Sequence, residues 1–268
     1  VKVLVISGSP KGKGDGYALA RQIEEEMKRL GPAEFEYLFL KNADLKLCRG
    51  CFVCVTRGED RCPLQDDREM IEEKINKADG VILVSPCYVS NVSWLMKNFM
   101  DRLCYTNHRP RFFRQKLMIV SHAGAGMDKA VQALRLALGS GPEIAAELGI
   151  LTPPWPLADS VQQKQEKKIQ KAVLRFHSAI LRDSLRGGIP RRPAFADYLR
   201  FRFFKKISAD TRNYLEADYD YYRCRENYYY EVPINPVTRT AAAVILRFSM
   251  FLMRDLAPRA VDVQAGNV

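Results

Sequence analysis

Apolar and polar positions alternate in blocks along this chain. Residues 2–7 run almost without a break through Val3, Leu4, Val5 and Ile6, the pattern of a strand buried on both faces. A polar, glycine-rich stretch, 8–16, separates that run from apolar residues at helical spacing, Leu19, Ile23, Met27 and Leu30. The spacing predicts a helix over 17–30, closed by Gly31-Pro32. Further strands are predicted at 35–40, 80–85 and 116–121, with a short fifth at 150–151 ahead of the turn-rich Thr152-Pro153-Pro154-Trp155-Pro156. Helices are predicted from Asp66 or Asp67, either of which offers an N-cap, to Lys77, then over 93–103, 127–148 and 160–185. Repeated strand–helix units imply a doubly wound α/β domain, a five-stranded parallel sheet covered on both faces by right-handed crossovers. Ligands of such sheets lie beyond the carboxyl ends of the strands. Loops 8–16, 86–93 and 122–126 reach that edge, as does the stretch after the second strand.

The pattern changes beyond Gly187-Gly188-Ile189-Pro190. Phe195, Tyr198, Phe201, Phe203 and Phe204 are followed by Tyr219, Tyr221, Tyr222 and the run Tyr228-Tyr229-Tyr230, with helices expected over 195–207 and 238–256. The expected organisation is a nucleotide-binding domain over 1–186 and an extension over 187–268. Tyr198 to Lys206 mixes bulky apolar residues with cations, which suits a membrane surface. An arm packed on the core or on a neighbouring subunit suits it better, since tyrosine and arginine are also interface residues.

Composition narrows the class of protein. Of the 268 residues 47% are hydrophobic, enough for an ordinary globular core. The opening apolar run is too short for a signal peptide, and no stretch reaches the roughly 20 apolar residues of a spanning helix. A soluble cytoplasmic protein is expected. The net charge of +11 raises nucleic acid as a partner, but the basic residues are interleaved with acids along the chain, and nucleic-acid binding is not expected.

Two loops carry the features of a nucleotide site. Gly8-Ser9-Pro10-Lys11, directly after a buried strand, offers successive backbone amides, a hydroxyl and a cation ahead of a helix N-terminus, which together make an anion site. Its glycine spacing is not the dinucleotide fingerprint, and no Gly-Lys-Ser/Thr closes it as a Walker loop. The stretch Ser85-Pro86-Cys87-Tyr88-Val89-Ser90-Asn91-Val92-Ser93, at another strand end, has a stiffening proline and a tyrosine able to flank a flat ring.

Seven cysteines in a cytosolic chain point to metal or redox use. Four of them form Cys48-x2-Cys51-x2-Cys54-x7-Cys62, and the i, i+3, i+6 spacing would set three thiols on one face of a helical turn. Thiolates suit iron–sulfur clusters and zinc alike. Zinc sites typically pair two-ligand knuckles, whereas this spacing resembles that of a [4Fe–4S] loop, with zinc and free thiols as the alternatives. Arg49, Arg57 and Arg61 would offset part of a cluster's negative charge. Cys87, Cys104 and Cys224 read as packing residues. Of the three histidines, His108, His122 and His177, only His122 falls in a ligand-facing loop. No Ser/His/Asp or paired-carboxylate arrangement suggests hydrolysis.

Gly8-Ser9-Pro10-Lys11, Cys51-x2-Cys54…Cys62…Asp66-Asp67, Ala78-Asp79-Gly80-Val81-Ile82-Leu83, Ser85-Pro86-Cys87-Tyr88 and the stretch from Leu95 to Arg102 occur in one order. Over about residues 1–150 the chain resembles the flavodoxin-like NADPH-dependent FMN reductase superfamily, and Cys48 completes the motif of its iron–sulfur flavoprotein branch. The resemblance implies FMN as cofactor. The phosphate would lie at Ser9, Lys11, Gly14, Asp15 and Gly16, and the isoalloxazine against Ser85, Pro86, Cys87, Tyr88 and Asn91. His122, Ala123 and Gly124 would complete the ring pocket. It implies Cys48, Cys51, Cys54 and Cys62 as ligands of a [4Fe–4S] cluster, although relatives retain three of these cysteines with no cluster. Lys11 stands where arginine is usual, Cys87 where an aliphatic residue is usual, and Gly16-Tyr17 where a small hydroxyl residue is usual.

The implied function is an FMN-dependent oxidoreductase passing electrons from NAD(P)H or a ferredoxin-like protein to an acceptor. The alternatives are a non-catalytic electron carrier, a cluster-free flavin or quinone reductase, and a zinc-stabilised binding module. A homodimer or homotetramer is expected, because Trp94, Met96, Phe99 and Leu103 offer more apolar surface than one sheet face needs.

Overall fold

A computed structural model describes residues 1–185 and 192–254. In chain order the elements are β1 (Lys2–Ser7), α1 (Asp15–Leu30), β2 (Glu34–Phe39), the one-turn α2 (Val53–Thr56), α3 (Arg68–Lys77), β3 (Gly80–Tyr88), β4 (Asn91–Val92) and α4 (Trp94–Arg102). There follow β5 (Lys116–Ala123), α5 (Met127–Leu134), β6 (Glu143–Leu151), α6 (Asp159–Leu185), α7 (Phe195–Asp210), α8 (Glu216–Arg223) and α9 (Pro236–Leu252). The chain divides into two compact units. Among the described residues one comprises 1–51 and 63–185, the other 52–62 and 192–254. The domain boundary expected at 186/187, and the helix end expected at 256, lie outside the described residues.

In the first unit the strands run β2-β1-β3-β5-β6, all parallel, and β4 pairs antiparallel with the end of β3. The expected flavodoxin-like parallel sheet is therefore present. Alternation divides each strand between the two faces. Val3, Val5, Ile82, Val84, Met118, Val120, Ala146, Leu148 and Ile150 form one buried face beneath Leu19, Ile23 and Met27 of α1 and Ile169, Val173 and Phe176 of α6. The opposite residues, including Leu4, Ile6, Val81, Leu83, Leu117 and Ile119, are equally buried.

Two expectations are corrected here. The helix expected over 127–148 stops at Leu134, and residues 143–151 form strand β6, not the expected two-residue strand. Gly139 turns the chain at φ 65°, and a Cβ there would stand 2.2 Å from the carbonyl oxygen of Thr106, so the backbones touch where only glycine fits. The second concerns α4. Met96, Phe99 and Leu103 are all but fully buried within their own unit, which leaves Trp94, 60% exposed, as the apolar surplus expected to drive oligomer formation.

The second unit has its own core of Tyr198 and Phe201 from α7, Tyr222 from α8, Tyr228, and Ala242 from α9. Phe201 packs edge-on against the rings of Tyr228 and Tyr229, with centroids 5.5 and 5.0 Å apart. Tyr198 and Phe201 are thus core residues, and this part of the basic–aromatic stretch is not turned outward. No helix among the described residues is long and apolar enough to cross a membrane.

Candidate functional site

The turn between β1 and α1 holds five amides, those of Lys11, Lys13, Gly14, Asp15 and Gly16, that have no hydrogen-bond acceptor among the described residues. The turn's own bonds are Gly12 N to Ser9 O, at 3.2 Å, and those of Tyr17 and Ala18 to the carbonyl of Gly14. Unpaired amides at a helix N-terminus concentrate positive potential. Lys11 and Lys13 are exposed beside them. Lys41, just after β2, lies against Gly12, where a Cβ would stand 2.7 Å from its Nζ. Sequence reasoning missed Lys41. Its signal was a cation at the carboxyl end of the strand paired with β1.

Ser93, at the N-cap of α4, ties this turn to its neighbour. Its hydroxyl donates to Gly8 O at 2.5 Å and accepts from Met96 N at 3.2 Å. Ser85 is fully enclosed, its hydroxyl accepting from Ser93 N and donating to Pro86 O. It shapes the loop from within. Pro86 and Cys87 continue β3, and Cys87 pairs with Val92 and Tyr88 with Asn91 in a short hairpin. Its turn residues, Val89 and Ser90, have φ of 50° and 57°. A β-branched residue in that region is strained by about 1–3 kcal/mol, a cost that clusters at functional sites. Tyr88 and Asn91 are exposed on the hairpin, and Asn91 Oδ1 accepts the amide of Val92. The Cys87 thiol donates to Gly126 O at 3.3 Å, joining this loop to the one after β5, and burial raises its pKa. Ala123 ends β5, and Gly124 stands in open space.

His122 is buried and follows Met118 and Val120 on the face beneath α1. Its Nδ1 lies 3.1 Å from Thr152 Oγ1, and its buried Nε2 has no hydrogen-bond partner among the described residues. Desolvation lowers its pKa; Asp15 counters that effect and Lys11 adds to it. A Cβ on Gly16 would stand 2.7 Å from Nε2, which explains why a hydroxyl residue is not found there. Thr152 was not among the expected site residues, although it sits immediately past β6 at the same sheet edge.

The cysteines lie otherwise than helical spacing suggested. Cys48 and Cys51 are in irregular chain, and only Cys54 is in a helix, the single turn α2. Left-handed residues at Gly50 and Phe52 break the helical path. Cys48 and Cys51 belong to the first unit, Cys54 and Cys62 to the second. Among the described residues no group of three or more His, Cys, Asp or Glu side chains could hold a metal ion. The approach to Cys48 is fixed from α4. Asn98 Oδ1 accepts Cys48 N at 2.9 Å, and its amide nitrogen donates to the carbonyls of Leu45 and Lys46. Arg102 donates to both oxygens of Asp66, which also accepts the amides of Lys46 and Arg68. Asp67, at the N-cap position of α3, accepts from Asp44 N instead of capping the helix.

Comparison with known proteins gives this arrangement a family. Residues 1–146 match the model of the NADPH-dependent FMN reductase family. An iron–sulfur flavoprotein of Clostridioides difficile (strain 630) is 30% identical over 177 residues, 65% of this chain and 77% of that protein. One from Archaeoglobus fulgidus is 32% identical over 132 residues, 49% of this chain and 59% of that protein. Among solved structures, RosB, determined with 8-demethyl-8-formylriboflavin-5'-phosphate, is 12% identical with a TM-score of 0.53, covering 88% of this chain and 92% of that one. An NAD(P)H:quinone oxidoreductase from Methanothermobacter marburgensis is 18% identical with a TM-score of 0.50, covering 64% of this chain and 94% of that one. These two structures bear on the fold. The family match and the C. difficile relative go further: this chain belongs to the NADPH-dependent FMN reductase family, in its iron–sulfur flavoprotein branch.

Proposed function

We propose that the protein is an FMN-dependent oxidoreductase that takes electrons from NAD(P)H or a ferredoxin-like protein. The observation that carries this reading is the set of five amides, in the turn before α1 and at its start, that lack an acceptor among the described residues. Exposed Lys11 and Lys13 lie in the same turn, and Lys41 lies against Gly12. Amides already held in place bind a phosphate without the cost of ordering them. Buried groups without a hydrogen-bond partner among the described residues support it too, since Ser121 Oγ and His122 Nε2 lie at the same strand end. Bound flavin would supply the redox chemistry, while the chain supplies position and electrostatics. Ser9, Lys11, Gly14, Asp15 and Gly16 would hold the phosphate end. Pro86, Cys87, Tyr88 and Asn91, with Ala123 and Gly124, would flank the ring.

Cys48, Cys51, Cys54 and Cys62 are the proposed ligands of a [4Fe–4S] cluster. Their thiol chemistry fits, the branch's relatives are named iron–sulfur flavoproteins, and Asn98 holds the backbone at Cys48. Thiolates of this kind persist in a reducing compartment, which favours the cytoplasm. Exposed Trp94 supports a homo-oligomer.

The test begins with anaerobic purification, an absorption spectrum, and acid release of the cofactor for chromatography. FMN near one per chain, with NADPH or NADH oxidised at a steady rate, is expected; FAD, or no flavin after reconstitution, would sink the reading. Iron and sulfide counts, near four each per chain with a [4Fe–4S] cluster, test the cysteines separately. Light scattering tests the oligomer.

A further inference from the structure

We infer that His122, backed by Thr152, is the residue that selects the phosphate-bearing end of the flavin, its Nε2–H donating to a phosphate oxygen. This rests on the FMN reading above and assigns a role to a side chain that the reading alone leaves undecided between ring and phosphate.

Geometry separates the two ends. His122 Nε2 lies against Gly16, in the first turn of α1, where a Cβ would stand 2.7 Å from it. Nδ1 is engaged by Thr152 Oγ1 at 3.1 Å. Thr152 is itself fixed by its amide, which donates to Ala123 O at 2.9 Å. When the threonine hydroxyl donates to Nδ1, the ring proton must sit on Nε2. In that tautomer Nε2–H is a donor beside Gly16 at the helix N-terminus, within the influence of the Asp15 carboxylate and with no hydrogen-bond partner among the described residues. A buried donor left unpaired costs about 1–3 kcal/mol. A phosphate, with several acceptor oxygens, satisfies the imidazole and the amides together. An amide or hydroxyl group of a ligand could serve one of them. Gly16 is the complementary part of the device, because any side chain there would occupy the space against Nε2.

The chemistry predicts selectivity for FMN over riboflavin, which lacks the phosphate. The test uses the full chain stripped of flavin and titrated with each flavin by fluorescence. In His122→Asn the amide keeps a polar group near Nδ1 and loses the one at Nε2. FMN affinity should fall about 10- to 100-fold, the value of one hydrogen bond to a charged group, with riboflavin affinity unchanged. His122→Gln, whose amide nitrogen reaches the Nε2 position, should restore most of the FMN affinity. Equal losses for both flavins, or no loss for FMN, would overturn the inference. Wild-type protein that binds riboflavin as tightly as FMN, or binds neither, would instead overturn the FMN reading itself. Thr152→Val keeps the ring and frees its tautomer; it decides the matter if His122→Asn does not fold, with a selective loss of FMN affinity expected and an unselective one fatal.

Discussion

A neutral imidazole buried at the end of β5 leaves a signature in the stability of the flavin-free protein. Burial lowers the pKa of His122 below its ordinary 6.5, with Asp15 opposing and Lys11 assisting. As pH falls through 6.5 the unfolded chain takes up a proton that the folded chain does not. Stability is therefore lost from that point down to the folded pKa and is level below it. Urea midpoints measured from pH 8 to 5 should show this fall, and His122→Gln should flatten it; an equal slope in the variant would remove His122 as its source. At Gly16 the expected outcome is steric. Gly16→Ala brings a methyl to 2.7 Å from Nε2, and overpacking of this kind costs about 1–3 kcal/mol, readable as a lowered denaturation midpoint and weakened flavin binding.

At the scale of elements, α4 is the brace of the cysteine-bearing side. Its buried face packs Met96 and Phe99 into the first unit, and its polar residues Asn98 and Arg102 reach the chain around Cys48 and Asp66. Both side chains of the Arg102–Asp66 pair are about 98% enclosed or more, so removing one partner strands the other's charge. Arg102→Met should cost about 3–5 kcal/mol by chemical denaturation, and it should raise amide exchange at Lys46 and Arg68, whose donors Asp66 accepts. A loss below about 1 kcal/mol would place that pair among ordinary surface bridges.

For the molecule as a whole, the second unit takes in residues 52–62, far from the rest of it in sequence. Within that unit α2 packs against α8, and Val55 is buried. A chain ending at residue 185 lacks α8. It should still bind flavin, through the intact sheet edge, but should be cut faster by trypsin at Arg57 and Arg61. Unchanged cleavage at both sites would show that 52–62 folds without α8. Loss of flavin from the shortened chain would show that the extension contributes to that site.

Much of the sheet was legible because buried parallel strands are written locally. The aliphatic runs at 2–7, 80–85 and 116–121 admit few other readings, and the glycine-rich turn after the first announces an anion site by its backbone alone. Ala145, Ala146, Glu147 and Leu148 misled because their helical propensity is intrinsic, while pairing with β5 is not local and outweighs it. The aromatic extension announced an apolar surface, and only packing showed that Tyr198 and Phe201 spend it on a core of their own. The contacts between residues far apart in sequence were not marked locally: Lys41 against Gly12, Thr152 against His122, and Asn98 against Cys48. Sequence by itself determined four of the five parallel strands, the amide-rich turn and the four thiols, because each depends on neighbours along the chain. Tertiary structure alone decided which way His122 faces and what holds Cys48, because hydrogen bonds and burial depend on neighbours in space.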